Sequence, residues 1–219
     1  MKNVIDIIEP YDAGVFPDEL SAKLKCVNLN SNENPFPLPE ILVGRGYREL
    51  KNANRYPNPK YPELKDAISE YLGVPQENIS IGCGASEILS NIVRVFVEPL
   101  DICVIPVPTY SMYQLYAMIE SATIRFLKLK EPEFEVKKEE IIRESKDAGL
   151  IFICTPNNPT GKIVKRKDIL EIAESTKAVV VIDEAYAEFC EKSVVKDAVE
   201  YENMIVVRSR SKFFSIASL

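Results

Sequence analysis

Short, continuous runs of apolar residues recur along this 219-residue chain. Such runs are typical of strands that are buried on both faces, whereas strands with one wet face alternate apolar and polar residues. The runs are rich in branched apolar residues, which favour extended backbone. We therefore predict five strands, at ISIGC (79–83), ICVIPV (102–107), LIFIC (150–154), AVVVI (178–182) and MIVV (204–207).

Between these runs, apolar residues recur at helical spacing. The first helical face holds Tyr61, Leu64, Ile68, Tyr71 and Leu72, with Pro62 suited to the first turn. Further helices are predicted at about 88–96, 110–120, 137–145 and 166–175. Strands that alternate with helices indicate an α/β fold with a mostly parallel sheet flanked by helices.

The first sixty residues do not follow this alternation. They are loop-like and rich in proline, as in SNENPFPLPE and RYPNPKYP, and only a short helix near 17–25 is indicated. We expect this segment to be an arm that packs against another part of the structure.

Composition narrows the classes of function. The net charge of -6, the pI near 5.0 and the interspersed basic residues give no footprint for nucleic acid. The start MKNVIDIIEP does not resemble a signal peptide and no apolar run is long enough to span a membrane, so no membrane partner is expected. Five widely spaced cysteines without a C-x-x-C pair fit a reducing cytoplasm.

Histidine is absent from the chain. The commonest metal ligand and the usual general base are therefore missing, and we expect no metal site. Acid-base chemistry must rely on lysine, tyrosine, aspartate, glutamate or a cofactor.

Ligands of open α/β sheets bind beyond the carboxyl ends of the strands, so the residues after each apolar run are the candidates for function. GCGASE follows the first run and opens a helix, whose N-terminal N–H groups could bind an anion such as phosphate. A dinucleotide fingerprint would need glycine or alanine where Glu87 stands. Taken alone, a tight turn that uses glycine for backbone reasons explains this segment better than phosphate binding does.

Two further strand ends carry polar residues. Asp183, in DEAY, would lie at the edge of a buried apolar region and need a cationic partner, although a helix-capping aspartate is an equal alternative. Tyr186 could present its hydroxyl to the same place. Asn157 and Asn158, in TPNNPTG, could contact a ligand or serve only the turn. Tyr110 could stack on a planar ligand or belong to the core.

Lys212 follows the last apolar run, in RSRSK, and is flanked by the hydroxyls of Ser209 and Ser211. Most lysines are solvated surface charges. A lysine held at the rim of a sheet and close to other cations can have its pKa lowered enough to form a Schiff base with an aldehyde.

These segments, in this order, resemble the pyridoxal-phosphate-dependent aminotransferases of fold type I, and most closely the histidinol-phosphate aminotransferases. The resemblance extends over nearly the whole chain. It is carried by NLNSNENPFP, NRYPNPKYPELKDAISEYLGV, GCGASEIL, PTYSMY, TPNNPTG, VIDEAYAEF and RSRSK.

The resemblance implies roles around pyridoxal 5'-phosphate (PLP). Lys212 would hold the cofactor as a Schiff base and move a proton during catalysis. Asp183 would pair with the protonated ring nitrogen. Asn158 and Tyr186 would bind the phenolic oxygen, and Tyr110 would stack on the ring.

The same resemblance assigns the phosphate of the cofactor to one end of the site. The N–H groups of Ala85 and Ser86 and the side chains of Ser209 and Ser211 would hold it. Tyr56 would reach the phosphate in a neighbouring subunit, which implies a homodimer with shared sites. Tyr11 and Asn34 resemble positions near the substrate.

The resemblance also predicts the domain organisation. Residues 1–35 would form an N-terminal arm and a small-domain segment, and 36–219 a truncated large PLP-binding domain. The C-terminal small domain would be absent and the fold incomplete at the C-terminus. A phosphate-binding arginine expected eight residues after Lys212 would fall beyond Leu219, so we expect the chain alone to be inactive.

Three residues depart from the pattern of the family. Phe213 and Ser218 stand where a small residue and a glycine are usual, and Arg210 lies between the two serines. These substitutions remove no chemical group, but they put the local packing in question.

The implied reaction is histidinol phosphate + 2-oxoglutarate = imidazole-acetol phosphate + glutamate, a step of histidine biosynthesis. Within the same fold, threonine-phosphate decarboxylase of corrinoid synthesis and an aromatic-amino-acid aminotransferase are alternatives. A truncated PLP-binding fragment without activity is an alternative from a different class.

Overall fold

A computed structural model describes residues 29–217 together with Ile8 and Val27. The helix expected near 17–25 and the candidate residue Tyr11 lie outside the described residues.

Five parallel strands form one sheet in the order β2-β1-β3-β4-β5. Their bounds are Ile102–Val107 for β1, Thr123–Lys128 for β2, Ala148–Cys154 for β3, Val179–Asp183 for β4 and Met204–Val207 for β5. Four of the five predicted strands are confirmed, and so is their parallel arrangement. Because all five run in one direction, their carboxyl ends share one edge of the sheet.

Six α-helices occur in the described residues: α1 Glu40–Glu49, α2 Pro62–Leu72, α3 Gly84–Phe96, α4 Met112–Ile119, α5 Lys138–Glu144 and α6 Arg166–Ser175. Short 3-10 helices cover Leu50–Asn52, Gln76–Asn78, Ala187–Phe189 and Asp197–Glu200. The helices predicted from apolar spacing are confirmed as α2 to α6.

Apolar residues cover both faces of the sheet. On one face α3 and α4 pack through residues such as Leu89, Val93 and Tyr113 onto Phe152 of β3. On the other face α5 and α6 supply a second cluster, which includes Ile141, Ile169, Ile172, Ile151 and Ile182. Burial of each such side chain stabilises the fold by about 1.5–3 kcal/mol. This two-sided cover explains why β3 and β4 are continuous apolar runs.

The strand predicted at 79–83 is wrong, because this segment is not a strand. A strand needs a neighbour that takes up its backbone hydrogen bonds. Instead, Ser80 and Ile81 border a groove of about 950 Å³ whose other side is formed by Ile205 and Val206 of the edge strand β5.

One strand and one helix were not predicted from the sequence. Strand β2 is an edge strand in which partly buried and exposed residues intermingle, so it contains no continuous apolar run. Helix α1 lies in a segment that looked like a loop because it contains Gly44 and Gly46 and follows a proline-rich stretch. No residue of α1 is buried.

A buried ion network joins the ends of β4 and β5. The Glu184 side chain is 1% exposed and accepts hydrogen bonds from Arg208 Nη1 at 2.8 Å and from the Val194 N–H at 2.7 Å. Arg208 also donates through Nη2 to Glu188, at 2.6 Å. The network therefore fixes the end of β5, immediately before Ser209.

Replacement of Arg208 by methionine should lower the free energy of unfolding by about 3–5 kcal/mol. Glu184 would remain buried without its cation, and Glu188 would be left with the longer contact to Arg210, at 3.9 Å. Arg125→Met is a matched control, since Arg125 pairs with Asp147 at the surface, where the two side chains are 30% and 60% exposed. The control should lose much less. Urea unfolding measures both variants, and equal losses would contradict a stabilising role of the buried network.

Candidate active site

A cavity of about 370 Å³ lies at the carboxyl ends of the strands. The residues that line it come from α3, from the segments after β1, β3, β4 and β5, and from the segment before α1. They are Asn30, Ser31, Asn32, Cys83, Gly84, Ala85, Ser86, Tyr110, Cys154, Asn158, Asp183, Ala185, Tyr186, Ser209, Ser211, Lys212 and Ala217. Nine of the predicted cofactor-binding residues thus surround one cavity, Tyr56 being the exception.

Asp183 ends β4 and is 5% exposed. Its Oδ2 accepts a hydrogen bond from the Tyr113 hydroxyl at 2.6 Å, and its Oδ1 accepts one from the Ala185 N–H at 3.0 Å. Burial raises the pKa of this carboxyl, while the two donors oppose that rise. In the described part of the chain no lysine or arginine forms an ion pair with it. The cavity therefore offers a buried carboxylate that lacks a protein cation.

Lys212 is half-buried in the same cavity. Its Nζ donates a hydrogen bond to the carbonyl oxygen of Ser31 at 2.8 Å. Burial lowers the pKa of the amine, and the charge of Glu33 opposes this. The direction agrees with the sequence analysis, but its cause is desolvation, and neighbouring cations do not contribute.

The N-terminus of α3 forms another part of the wall. Gly84 opens this 13-residue helix with φ +77°, a conformation that favours glycine. The N–H groups of a first helical turn have no acceptor within the helix, and they carry the positive end of its dipole. Ala85 and Ser86 in this turn and Ser209 and Ser211 opposite surround space that suits an anion.

Tyrosine and asparagine side chains complete the lining. Tyr110 packs against the core and also lines the cavity, so its core role is confirmed and stacking on a planar ligand stays a prediction. The Tyr186 hydroxyl accepts a hydrogen bond from Asn32 Nδ2 at 3.1 Å, and burial raises its pKa. Asn158 lies beside them and is partly exposed.

The two neighbouring asparagines of TPNNPTG have different surroundings. Asn157 is buried, accepts from Thr109 Oγ1 at 2.8 Å and donates to the Pro108 carbonyl at 3.0 Å and to Thr160 Oγ1 at 2.9 Å. It therefore ties this loop to the end of β1. Asn158, in contrast, faces the cavity.

Sequence reasoning missed several lining residues, above all Asn30, Ser31 and Asn32. Asn32 and Tyr186 are 154 positions apart, and Ser31 and Lys212 are 181 positions apart. The only sequence signal was the polar run NLNSNENP, which does not identify its distant partners.

Two predicted residues lie elsewhere. The Tyr56 side chain is fully exposed and does not line the cavity. Asn34 also lies outside the cavity lining, although its Nδ2 donates to the carbonyl oxygen of Phe213, next to Lys212, at 2.9 Å.

Three residues near Lys212 depart from the family pattern. Ser218 lies outside the described residues, and aromatic packing accommodates Arg210 and Phe213. The Arg210 guanidinium lies 4.7 Å from the ring centre of Tyr71 and 4.6 Å from that of Phe214. Phe213 packs edge-on against Phe189, with 5.5 Å between the ring centres. Neither Arg210 nor Phe213 is among the residues that line the cavity.

Comparison with known proteins identifies the family of the chain that forms this cavity. The profile of the family aminotransferase class I and II matches residues 25–219. The chain belongs to this family. Histidinol-phosphate aminotransferase 2 of Archaeoglobus fulgidus is 44% identical to this aminotransferase-family chain over 221 residues, which cover all of the chain and 62% of that relative. The chain thus spans about three fifths of the length of this relative.

Solved structures agree with the fold. The histidinol-phosphate aminotransferase of Clostridium acetobutylicum aligns with a TM-score of 0.77 at 28% identity, over 85% of this chain and 56% of that chain. The histidinol-phosphate aminotransferase of Sinorhizobium meliloti, in complex with pyridoxal-5'-phosphate, aligns with a TM-score of 0.79 at 22% identity, over 85% and 52% of the two chains. The chain therefore has the fold of PLP-dependent aminotransferases of type I.

The cofactor of this aminotransferase family is PLP, and the chemistry of the cavity fits it. PLP carries an aldehyde, a phosphate dianion, a phenolic oxygen and a basic ring nitrogen. The cavity offers a half-buried amine on Lys212, an anion-binding helix terminus at Ala85 and a carboxylate without a protein cation on Asp183. No group of three or more potential metal ligands occurs in the described ranges.

Asn157 and Asn158 provide a matched pair for experiment. Asn157→Ala should lower the free energy of unfolding by about 1–3 kcal/mol, because it removes three hydrogen bonds of a buried side chain to partly buried partners. Asn158→Ala should leave the stability of the ligand-free protein nearly unchanged and weaken PLP binding. Thermal unfolding and a PLP titration of both variants test this, and equal loss of stability would contradict the distinction.

Proposed function

We propose that this chain forms the PLP-binding part of a transaminase that converts histidinol phosphate and 2-oxoglutarate to imidazole-acetol phosphate and glutamate. The observation that carries the proposal is the gathering of Lys212, Asp183 and the α3 terminus around one cavity. The 44% identity to a histidinol-phosphate aminotransferase supports the choice of substrate. No comparable observation favours a decarboxylase of threonine phosphate.

The side chains of the cavity divide the chemical work. When bound, PLP supplies an electron-withdrawing ring that stabilises negative charge at the substrate carbon. The Asp183 carboxylate pairs with the ring nitrogen and favours its protonated form. With PLP bound, Lys212 would hold the aldehyde carbon and would carry a proton to or from the substrate carbon. Its lowered pKa favours the neutral amine that both roles need.

The remaining residues orient the cofactor. The N–H groups of Ala85 and Ser86 and the hydroxyls of Ser209 and Ser211 hold the phosphate. The following residues contact the ring: Asn158 and Tyr186 at the phenolic oxygen and Tyr110 at the ring face. Asn34, close to Phe213, and Tyr11 are kept as candidates for substrate contact.

The domain organisation is part of the proposal. Residues 1–35 form an arm and small-domain segment, and 36–219 belong to the large domain. The cavity lining by Ser31 and Asn32 supports an arm that reaches the site of the large domain. The four described cysteines are free, which supports a reducing cytoplasm. No described helix could cross a bilayer, judged by length and apolar character.

A homodimer accounts for the exposed surface of α1 and the segment that follows it. Ile41, Val43, Tyr47 and Leu50 are 56–72% exposed, and Tyr56 is fully exposed. Several large apolar side chains that are exposed on one helix and the segment after it are typical of an interface. A second copy of the chain would bury it and bring Tyr56 to the phosphate of the neighbouring site.

Reduction with borohydride after addition of PLP should label Lys212. At neutral pH an ordinary lysine is almost entirely protonated, whereas the lowered pKa of Lys212 makes its amine more reactive. Peptide mapping locates the label. Lys212→Met should lose it, and Lys192→Met, a substitution of an exposed lysine, should keep it. Label on other lysines, or none in a folded protein, would contradict the cofactor site.

The substrate is tested in a protein of the full length of the relatives, because the 219-residue chain alone should show little or no turnover. Steady transamination by the chain alone would contradict this expectation. Glutamate should form from histidinol phosphate and 2-oxoglutarate, and this reaction should stop in Lys212→Met. Release of carbon dioxide from threonine phosphate, without glutamate formation, would reject the transaminase and support the decarboxylase.

Complementation in trans tests the shared site. The experiment uses the protein at the full length of its relatives, since the chain alone is expected to be inactive. In a mixture of its Lys212→Met and Tyr56→Ala variants, each mixed dimer holds one intact site if Tyr56 acts on the neighbouring subunit. The mixture should therefore regain roughly a quarter of the wild-type activity, since about half of the dimers are mixed. If Tyr56 acts within its own chain or is not required, no such gain over the separate variants will be seen.

A further inference from the structure

Tyr113 is fully buried, yet it carries a polar group that contacts the candidate site. It lies in the first turn of α4, and its ring stacks on Phe152 with 4.6 Å between the ring centres and 9° between the planes. Its hydroxyl donates to Asp183 Oδ2 at 2.6 Å, across 70 positions of sequence. Tyr110 packs edge-on against the same ring, at 5.5 Å. The tyrosine thus connects a core stack with the carboxylate.

The hydroxyl is one of two donors that hold the carboxylate. Tyr113 occupies Oδ2 and the N–H of Ala185 occupies Oδ1, at 2.6 and 3.0 Å. An ionised carboxylate has about four acceptor positions. The two contacts leave the others for the cavity that Asp183 lines. The direction of the carboxylate is therefore set before any ligand arrives.

Packing alone does not require this hydroxyl. Phenylalanine would keep the stack on Phe152 and avoid the cost of burying a polar group. The contact with Asp183 offsets that cost, because hydrogen bonds to charged groups are about twice as strong as neutral ones. The pKa of the Tyr113 hydroxyl is raised well above its usual value by burial and by Asp183, so it stays a donor throughout the neutral range.

Three other titratable groups that face Asp183, a thiol and two phenols, remain uncharged in this range. Burial raises the pKa of Cys154 on β3 to about 12, and it also raises the pKa of Tyr116 on α4 and of Tyr186 after β4. Lys212 lines the same cavity but forms no ion pair with Asp183 among the described residues. Tyr113 is thus the side chain that donates to the carboxylate.

We propose that Tyr113 is a positioning residue for the Asp183 carboxylate, and that the Tyr113 hydroxyl holds this carboxylate aimed into the cavity and favours its ionised form. This role rests on the proposed function, because it concerns the partner of the ring nitrogen. It adds to the site a residue that does not line the cavity and contacts PLP only through Asp183.

The first test uses the ligand-free protein. With aspartate labelled at its carboxyl carbon, NMR follows the titration of Asp183, and Asp183→Asn identifies its signal. Tyr113→Phe should move the midpoint to higher pH by roughly one to two pH units, because a donor that favours the ionised form is lost. Tyr201→Phe is the matched control, since it removes a hydroxyl that donates to another carboxylate, Glu174, at 2.8 Å. A wild-type midpoint in Tyr113→Phe would overturn the proposal.

The second test measures PLP affinity against pH. As pH falls, Asp183 becomes neutral and no longer pairs with the ring cation. Tyr113→Phe should therefore lose affinity at higher pH than the wild type and the Tyr201→Phe control, and match them at alkaline pH. A merely structural defect would weaken binding equally at every pH and would overturn the proposal.

The two tests separate the underlying claims. If wild-type protein binds no PLP, the proposed function fails and the role toward the cofactor fails with it, whatever NMR reports. If wild-type protein binds PLP and Tyr113→Phe titrates like it in both experiments, the cofactor site stands and the positioning role is wrong.

Discussion

A carboxylate that is buried without a cation from the described residues is the constraint on which the candidate site depends. Asp183 ends β4, an interior strand of the parallel sheet, and is 5% exposed. Such a charge is costly unless donors and a ligand compensate it. The fold supplies two donors, from α4 and from the turn after β4, and leaves the compensation by a cation to whatever enters the cavity. The protein therefore loses some folding stability at the position where a ligand would bind.

The adjacent residue illustrates the opposite solution. Glu184 is as deeply buried as Asp183, but Arg208 and two further donors satisfy it. One carboxylate thus fixes the architecture beneath β4 and β5, while its neighbour faces the cavity. Alternation along the chain explains the difference, because successive side chains at a strand end point to opposite sides.

Much of the fold could be predicted because the strands of a parallel sheet are buried on both faces and therefore occur in the sequence as continuous apolar runs. The residues after those runs then identified most of the cavity, since parallel strands bring their carboxyl ends together. The pattern of apolar residues gave wrong or missing predictions where an element depends on a neighbouring segment. The segment 79–83 has the composition of a strand but pairs with no strand among the residues that the structure describes, and β2 is a strand without a continuous apolar run. Ser31 and Tyr113 were missed because only the folded chain brings them to Lys212 and Asp183.

The loop that contains the two asparagines has a further consequence for the evolution of length in this protein. Loops commonly tolerate insertions and deletions. This one is tied at several points, through Asn157 to Thr109 and Pro108 and through backbone bonds from Asn157 N–H to Lys162 and from Gly161 N–H to Asn157. Removal of one residue before the pair would put Asn158 in the place of Asn157 and Pro159 in the place of Asn158, so the contacts of the loop could re-form only by loss of the asparagine that faces the cavity. Its length is therefore as constrained as that of a strand.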